Sequence, residues 1–81
     1  MKLRFTARAE KDVADVTPPI RKALAKQLDF LLSDARHPSL QAKKYDESAG
    51  IWQGRVNQSW RFYFVIDNDE YVILAVKPHP K

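Results

Sequence analysis

Apolar residues recur with two different periods along the chain, a helical period in the first half and an alternating period in the second. Residues 2–6 alternate basic and apolar side chains, which predicts a short, half-exposed strand. A helical stripe begins at or just after the end of this strand, with Ala9, Val13 and Val16 spaced by four and three residues. The sequence TPP at residues 17–19 interrupts the stripe, because proline lacks the backbone N–H that a helix interior needs.

The same TPP sequence predicts the start of a second helix, with Thr17 as its N-cap and Pro18 at the first helical position. An apolar stripe with spacings of four, four and three follows and consists of Ile20, Leu24, Leu28 and Leu31. This spacing is typical of an amphipathic helix that packs one face against a core. The helix is expected to end within residues 33–36, because Pro38 disfavours helical geometry at the residue before it.

The second half of the chain changes from helical to strand-like patterning. Residues 39–50 are polar and have no clear period, so a loop or a short irregular strand is expected there. Residues 51–56, 60–67 and 70–77 are rich in aromatic and β-branched side chains, which predicts three strands joined by two tight hairpins. The predicted order is β-α-α-β-β-β. This is an α+β fold in which two helices pack on one face of a small, mostly antiparallel, four-stranded sheet.

Strand alternation assigns the side chains of the last three strands to two faces. One face of the middle strand is entirely apolar, so it is expected to meet the helices. The core side is expected to hold Trp52, Gly54, Val56, Trp60, Phe62, Phe64, Ile66, Val72, Leu74 and Val76. The opposite side, named the open face, is expected to hold Ile51, Gln53, Arg55, Arg61, Tyr63, Val65, Asp67, Tyr71, Ile73, Ala75 and Lys77.

Length and composition predict a single domain over residues 1–81. The chain has no cysteine, which excludes a disulfide scaffold, a zinc finger and a thiol nucleophile. No metal or cofactor is expected. No segment approaches the roughly 20 apolar residues that span a bilayer, and the start has no apolar stretch like that of a signal peptide. A cytoplasmic protein that does not bind membranes is therefore expected.

The net charge of +4 is unevenly distributed over the predicted sheet. After Gly50 all three acids, Asp67, Asp69 and Glu70, fall in one turn. The open face then combines basic side chains with Tyr63, and His79 follows in the same register as Lys77. Cations hold phosphates, an aromatic ring stacks on an unpaired base, and imidazole moves protons near neutral pH, so this set suits binding and cleavage of RNA. The alternative is a solvated basic face that serves only solubility.

These residues resemble a known family. The element order, the segment HPSLQAKKYDESAGIWQGRVNQSWRFYFVIDND at residues 37–69 and the terminal VKPHPK are similar to the RelE/ParE superfamily of bacterial type II toxins. The most specific part is Arg55, a short turn at 57–59, and the Trp60-Arg61 pair with the alternating aromatics that follow it, closed by a histidine after the last strand. The likeness covers essentially the whole chain.

The resemblance implies a bacterial, cytoplasmic toxin that is neutralised by an antitoxin encoded beside it, in a toxin–antitoxin hetero-oligomer. RelE-like members are mRNA interferases. They cut messenger RNA without metal, usually on the translating ribosome, by in-line attack of a ribose 2′-hydroxyl on the adjacent phosphate. The resemblance therefore implies an RNA-binding endoribonuclease that inhibits translation.

Several roles follow from the resemblance. Arg61 would contact the scissile phosphate, His79 would act as acid or base, and Arg55 would bind the RNA backbone. Glu47 would serve as a base if its loop folds over the sheet. The further RNA-binding candidates are Lys43, Lys44, Tyr63, Lys77 and Lys81.

One departure from the family keeps two alternatives open. In well-studied RelE-like members the strand before the middle strand carries catalytic lysines, whereas its outward positions here hold Ile51 and Gln53. A ParE-like member, which poisons DNA gyrase, needs no such lysines. A catalytically weak toxin homologue that mainly binds its antitoxin fits the same departure.

Overall fold

The computed structural model describes residues 1–79, which form two helices and five strands. In chain order these are β1 (Lys2–Phe5), α1 (Ala7–Asp15), α2 (Pro18–Ser33), a short 3₁₀ turn (Pro38–Leu40), β2 (Lys43–Asp46), β3 (Ile51–Arg55), β4 (Trp60–Asp67) and β5 (Glu70–Pro78). The strands form one sheet in the order β1-β5-β4-β3-β2. β1 is parallel to β5, and all other neighbours are antiparallel.

The predicted α+β class is confirmed, but the predicted count of four strands is wrong. The additional strand is β2, which pairs with β3 at one edge of the sheet. Its sequence, KKYD, has three charged residues out of four and no alternation that would predict a strand. β2 forms because the neighbouring strand supplies hydrogen-bond partners, so tertiary context decides its structure.

Both helices begin where the sequence predicts. Thr6 caps α1, since its hydroxyl oxygen accepts a hydrogen bond from the Ala9 N–H at 3.1 Å. Thr17 precedes α2, and its backbone carbonyl accepts from the Arg21 N–H at 3.0 Å. α2 ends at Ser33, inside the predicted window of residues 33–36.

The core lies between the helices and one face of the sheet. Its buried members come from α1, α2, the 3₁₀ turn, the residue after β3, and strands β4 and β5, and they are Ala9, Leu24, Leu28, Leu31, Leu40, Val56, Phe62, Phe64, Tyr71, Ile73 and Val76. The predicted stripe of α2 thus faces the sheet. Full burial of each such aliphatic or aromatic side chain stabilises the fold by roughly 1.5–3 kcal/mol.

A β-bulge in β5 changes which face its side chains occupy. Tyr63 of β4 pairs with Ala75, but the next residue, Phe64, pairs with Ile73. Leu74 is therefore an extra residue that has no counterpart on β4. The strict alternation of β5 is broken at this point.

This bulge makes one predicted face assignment wrong. Tyr71 and Ile73 belong to the core, whereas the alternation predicts Val72 and Leu74 there. After the bulge the predicted assignment holds, with Val76 in the core. A pattern of period two contains no signal for an inserted residue, so the sequence alone misplaces the first half of β5.

The N-cap of α1 and a side chain from within that helix hold the bulged backbone. The Thr6 hydroxyl donates a hydrogen bond to the Leu74 carbonyl at 3.1 Å. The Asp12 carboxylate accepts one from the Val76 N–H at 3.0 Å. A bulge disrupts the hydrogen-bond ladder locally, and these side chains supply partners to the backbone around it. α1 therefore fixes the phase of β5 and, with it, the outward position of Lys77.

Gly54 provides a test of this packing. It pairs with Phe62 across β3 and β4, and a Cβ added at this position would lie 2.6 Å from Phe62 Cε1. We expect Gly54→Ala to lower the free energy of unfolding by about 1–3 kcal/mol, because the ring has to move within a packed core. Urea denaturation followed by circular dichroism measures this change.

The matched control is Phe62→Leu, alone and combined with Gly54→Ala. If the ring causes the clash, the double variant loses less free energy of unfolding than the two single variants lose together, by about 0.5 kcal/mol or more. Additive losses, or a Gly54→Ala variant as stable as the original chain, would contradict this account of Gly54.

Candidate nucleic-acid interface

Three cations lie side by side across three neighbouring strands. Arg55 of β3 pairs with Arg61 of β4, and Arg61 pairs with Lys77 of β5. We call these three residues the cation row. Like charges directly opposite each other destabilise a sheet, so this arrangement gains from a bound anion that neutralises it.

The turn between β3 and β4 holds both arginines. The Asn57 carbonyl accepts hydrogen bonds from Arg61 Nη1 at 2.7 Å and from Arg55 Nε at 3.3 Å. Arg61 Nη1 also donates to the Trp60 carbonyl at 2.9 Å. Each guanidinium has five N–H donors, so these bonds orient both groups and use only part of their capacity.

The turn itself is rigidified by the side chain of Asn57. Its Oδ1 accepts hydrogen bonds from the Ser59 N–H at 2.8 Å and from the Trp60 N–H at 2.9 Å. Such a local side-chain bond is the typical use of asparagine in a turn. The short turn at residues 57–59 therefore positions the guanidinium groups that follow and precede it.

The acids of the sheet lie at the opposite end. Among the ion pairs that residues 1–79 make, Asp67 and Glu70 both pair with Arg4 of β1, at 3.7 and 3.5 Å, and none involves the cation row. Asp67 is six residues from Arg61 along β4, or about 20 Å at the usual rise of a strand. The open face is thus positive near the β3–β4 turn and negative near the β4–β5 turn.

His79 follows Lys77 at the positive end. Its backbone N–H donates to the Ser59 carbonyl at 2.7 Å, which continues the pairing of β5 with β4 beyond Pro78. The side chain of His79 is exposed. The structure thus attaches His79 to the same turn that holds the two arginines. Lys81, the last of the sequence-predicted RNA-binding residues, lies outside the described residues.

The two lysines of β2 face opposite sides of the sheet. Lys43 pairs with Gln53, so it lies on the open face at the edge. Lys44 pairs with Trp52, and its Nζ lies 4.9 Å from the centroid of that ring. Lys44 therefore makes a cation–π contact on the core side and is separated from the cation row by the sheet.

Glu47 lies away from the cation row. It is exposed in a tight turn between β2 and β3, in which the Gly50 N–H donates to its carbonyl at 3.2 Å. This turn joins the start of β3 at Ile51, which is four residues, or about 13 Å, from Arg55. Glu47 thus belongs to the end of β3 opposite Arg55, and none of the ion pairs within residues 1–79 joins it to the cation row.

Tyr63 lies on the open face, where an exposed aromatic side chain is expected, but the structure buries it. Tyr63 retains 9% exposure, and its ring meets the ring of Tyr45 with centroids 4.8 Å apart. Tyr45 is 62% exposed and is the residue that sequence reasoning missed. The available signal was a lone aromatic residue in the otherwise polar segment 39–50.

A separate apolar pocket of about 480 Å³ lies on the helix side of the sheet. His37 at its edge stacks on Phe30 at 3.8 Å and accepts a hydrogen bond from the Ser39 N–H, so this histidine has a structural role. Ile66 also lines the pocket and is half exposed, although alternation predicts it in the core. The pocket does not include the cation row.

Residues 1–79 were compared with the requirements of a metal site and of a membrane-spanning helix. No three His, Asp or Glu side chains within residues 1–79 gather as metal ligands. Neither α1 nor α2 is long and apolar enough to cross a membrane.

Comparison by sequence finds no matching protein-family model and no matching curated protein. Comparison by structure finds toxins. The YoeB/ParE toxin from Agrobacterium tumefaciens has a TM-score of 0.80 and 14% identity, covering 99% of this chain and 100% of that one. The YoeB dimer from Staphylococcus aureus has a TM-score of 0.81 and 18% identity, covering 99% and 98%.

The toxin–antitoxin complex RelBE2 from Mycobacterium tuberculosis contains a chain with 29% identity and a TM-score of 0.66, covering 96% of both chains. The intact RelBE complex of Escherichia coli matches with a TM-score of 0.74 and 17% identity, covering 99% of this chain and 98% of that one. The chain therefore has the RelE-like fold, and the resemblance to the RelE/ParE superfamily is confirmed at the level of the fold.

The pH dependence of stability tests the burial of Tyr63. Burial raises the pKa of Tyr63 above its ordinary value, Tyr45 adds to this effect, and Arg61 opposes it. The folded state thus favours the neutral phenol. This contribution to stability is complete below the unfolded pKa of about 10 and is lost as the pH rises through the higher folded pKa.

We therefore expect the free energy of unfolding to fall more steeply above about pH 10 in the original chain than in Tyr63→Phe. Urea denaturation of both proteins across this range measures the difference, and lysine deprotonation affects both equally. Parallel profiles for the two proteins would show that Tyr63 is not desolvated.

Proposed function

We propose that the chain is the toxin of a type II toxin–antitoxin system, in one domain over residues 1–81, and that it is a metal-independent mRNA endoribonuclease. It would act in the bacterial cytoplasm and inhibit translation, with mRNA bound on the ribosome. The observation that carries this proposal is the cation row, three like charges held side by side on an open sheet face. The RelE-like fold supports it, since the matched structures are described as toxins and toxin–antitoxin complexes.

The reaction that fits is transesterification within the RNA strand. The ribose 2′-oxygen loses its proton and attacks the adjacent phosphorus, the bond from phosphorus to the 5′-oxygen breaks, and that oxygen takes up a proton. The products are a 2′,3′-cyclic phosphate and a 5′-hydroxyl. The step needs a proton acceptor, a proton donor and fixed positive charge for the phosphoryl oxygens.

Arg61 supplies the central positive charge in this proposal. It lies between Arg55 and Lys77, so a phosphate at Arg61 has a cation on each side. The Asn57 carbonyl fixes both guanidinium groups before any ligand arrives. Such preorganised donors are effective because they do not have to reorient as charge develops in the transition state.

His79 supplies proton transfer in this proposal. Its backbone bond to Ser59 places it beside the β3–β4 turn, and its side chain is exposed and free to meet a ribose oxygen. Imidazole gives and takes protons near neutral pH. Glu47 lies in the turn before Ile51, at the end of β3 opposite Arg55, and is not assigned a role in this step.

The proposed protein partner is an antitoxin. Matched structures are described as a YoeB–YefM complex from Staphylococcus aureus and an archaeal RelE–RelB complex from Pyrococcus horikoshii. An acidic antitoxin segment that covers the cation row would neutralise its charge and block access of RNA. This arrangement would give a toxin–antitoxin hetero-oligomer.

A second candidate function is inhibition of DNA gyrase. It is favoured by the outward side of β3, where Gln53 is nearly buried and uncharged beside Ile51. A gyrase-binding toxin would use the open face for protein contacts and would not need His79. A catalytically weak homologue that mainly binds its antitoxin would also retain the fold.

Induced expression of the original chain, Arg61→Gln and Arg36→Gln tests the proposal. We expect the original chain to stop growth and to leave messenger RNAs cut within codons, as seen by mapping transcript ends. Arg61→Gln is expected to cut about 10²–10³-fold more slowly, because it loses one electrostatic donor to the transition state. Arg36 is exposed outside the sheet, so Arg36→Gln is the matched control and should behave like the original chain.

The alternatives give different outcomes in the same experiment. Growth arrest with intact transcripts and double-strand DNA breaks would favour the gyrase candidate and contradict RNA cleavage. Harmless expression combined with a tight antitoxin complex would indicate an inactive homologue. Equal cleavage by Arg61→Gln and the original chain would contradict the role of the cation row.

A further inference from the structure

Tyr45 combines high exposure with a fixed position. It belongs to the edge strand β2, yet 62% of its surface is exposed, whereas the other two tyrosines, Tyr63 and Tyr71, retain 9% and 8%. An aromatic ring left in water forgoes the stabilisation that burial supplies. Such a ring on a surface with a proposed polyanionic ligand is a candidate contact for that ligand.

The irregular pairing of β2 turns this ring toward the open face. The register shifts between Lys44 and Asp46, so Tyr45 has no direct partner on β3. Its ring meets that of Tyr63 with centroids 4.8 Å apart and an interplanar angle of 62°. Edge contact of this kind is a preferred aromatic geometry. The buried Tyr63 thus supports Tyr45 while most of the Tyr45 ring stays in solvent.

Tyr45 lies within reach of the cation row. Tyr63, which it contacts, follows Arg61 by two residues on β4 and therefore lies about 7 Å from it along the strand. The 4.8 Å between the two ring centroids adds to this separation, so a polynucleotide with one phosphate at Arg61 would reach Tyr45 with a base a short way along the strand. Aromatic side chains beside a positively charged groove are the usual arrangement for binding single-stranded nucleic acid.

The charge next to Tyr45 favours a base over a phosphate there. The Ser48 hydroxyl and the Ala49 N–H donate hydrogen bonds to Asp46 Oδ1, at 2.8 and 3.2 Å. These bonds hold the pKa of Asp46 below its ordinary value, and the bond from Ser48 has the largest effect. The Asp46 carboxylate is thereby fixed in the turn beside Tyr45, whereas the positive charges of the open face are concentrated at the cation row.

We propose that Tyr45 is a stacking platform for an unpaired nucleobase of the RNA strand whose phosphate binds the cation row. The inference rests on the proposed function and adds a binding subsite to it. Stacking accepts any base, because every base has a π-face, so the subsite positions the strand and does not read its sequence. Tyr45 would thereby set which phosphate lies at Arg61.

The test measures binding of a fluorescently labelled single-stranded 2′-O-methyl RNA, whose blocked 2′-oxygens prevent cleavage. We expect Tyr45→Ala to bind about 5- to 100-fold more weakly than the original chain and Tyr45→Phe to bind within about twofold of it. An abasic strand of the same length should bind the original chain and Tyr45→Ala equally. Circular dichroism confirms that each variant is folded.

Salt dependence separates stacking from charge. Tyr45→Ala should keep the slope of log affinity against log salt, whereas Arg61→Gln should reduce it by about 0.7. If Tyr45→Ala binds as tightly as the original chain while Arg61→Gln is weakened, the stacking inference is overturned and the proposed function stands. Equal weakening by Tyr45→Phe and Tyr45→Ala would also overturn stacking. No RNA binding by the original chain would overturn the proposed function itself.

Discussion

Mutual repulsion among Arg55, Arg61 and Lys77 must be offset for β3, β4 and β5 to pair as they do. Adjacent strands place these like charges opposite each other, which by itself weakens the sheet. The fold offsets this cost on the other face, where Phe62 is fully buried beneath the same strands. The Asn57 carbonyl offsets part of it directly, because it accepts hydrogen bonds from both guanidinium groups. The remaining positive potential is available to a phosphate.

The helices contribute to this site from the core side of the sheet, where the Gln27 side chain of α2 donates a hydrogen bond to the Arg55 carbonyl at 2.9 Å. Thr6 and Asp12 at α1 bind the backbone around the bulge at Leu74, and the bulge determines which side chains of β5 face outward. Without that inserted residue, continuous alternation would carry either Ile73 or Lys77 to the wrong side. The position of Lys77 beside Arg61 therefore depends on an interaction between a helix and a strand that lies outside the cation row.

Elements that are determined by interactions between residues close in the sequence can be predicted from it, whereas elements that are determined by distant residues cannot. Helix starts at Thr6 and Thr17 depend on local capping and proline geometry, so the sequence alone places them correctly. Alternation along β3 and β4 places Arg55 and Arg61 on the same face, so these two members of the cation row can be predicted from the sequence. The β5 bulge and the pairing of β2 depend on distant partners, and for this reason the contact between Tyr45 and Tyr63 is not predictable from the sequence.

Chemical-shift mapping determines whether RNA binds the open face at the cation row. The measurement is a titration of ¹⁵N-labelled protein with single-stranded 2′-O-methyl RNA. We expect the largest amide shifts to cluster at Arg55, Arg61 and Lys77 and in the turn at residues 57–59, and to shrink as salt rises. Shifts confined to α2 and the 3₁₀ turn, with the open face unchanged, would contradict it.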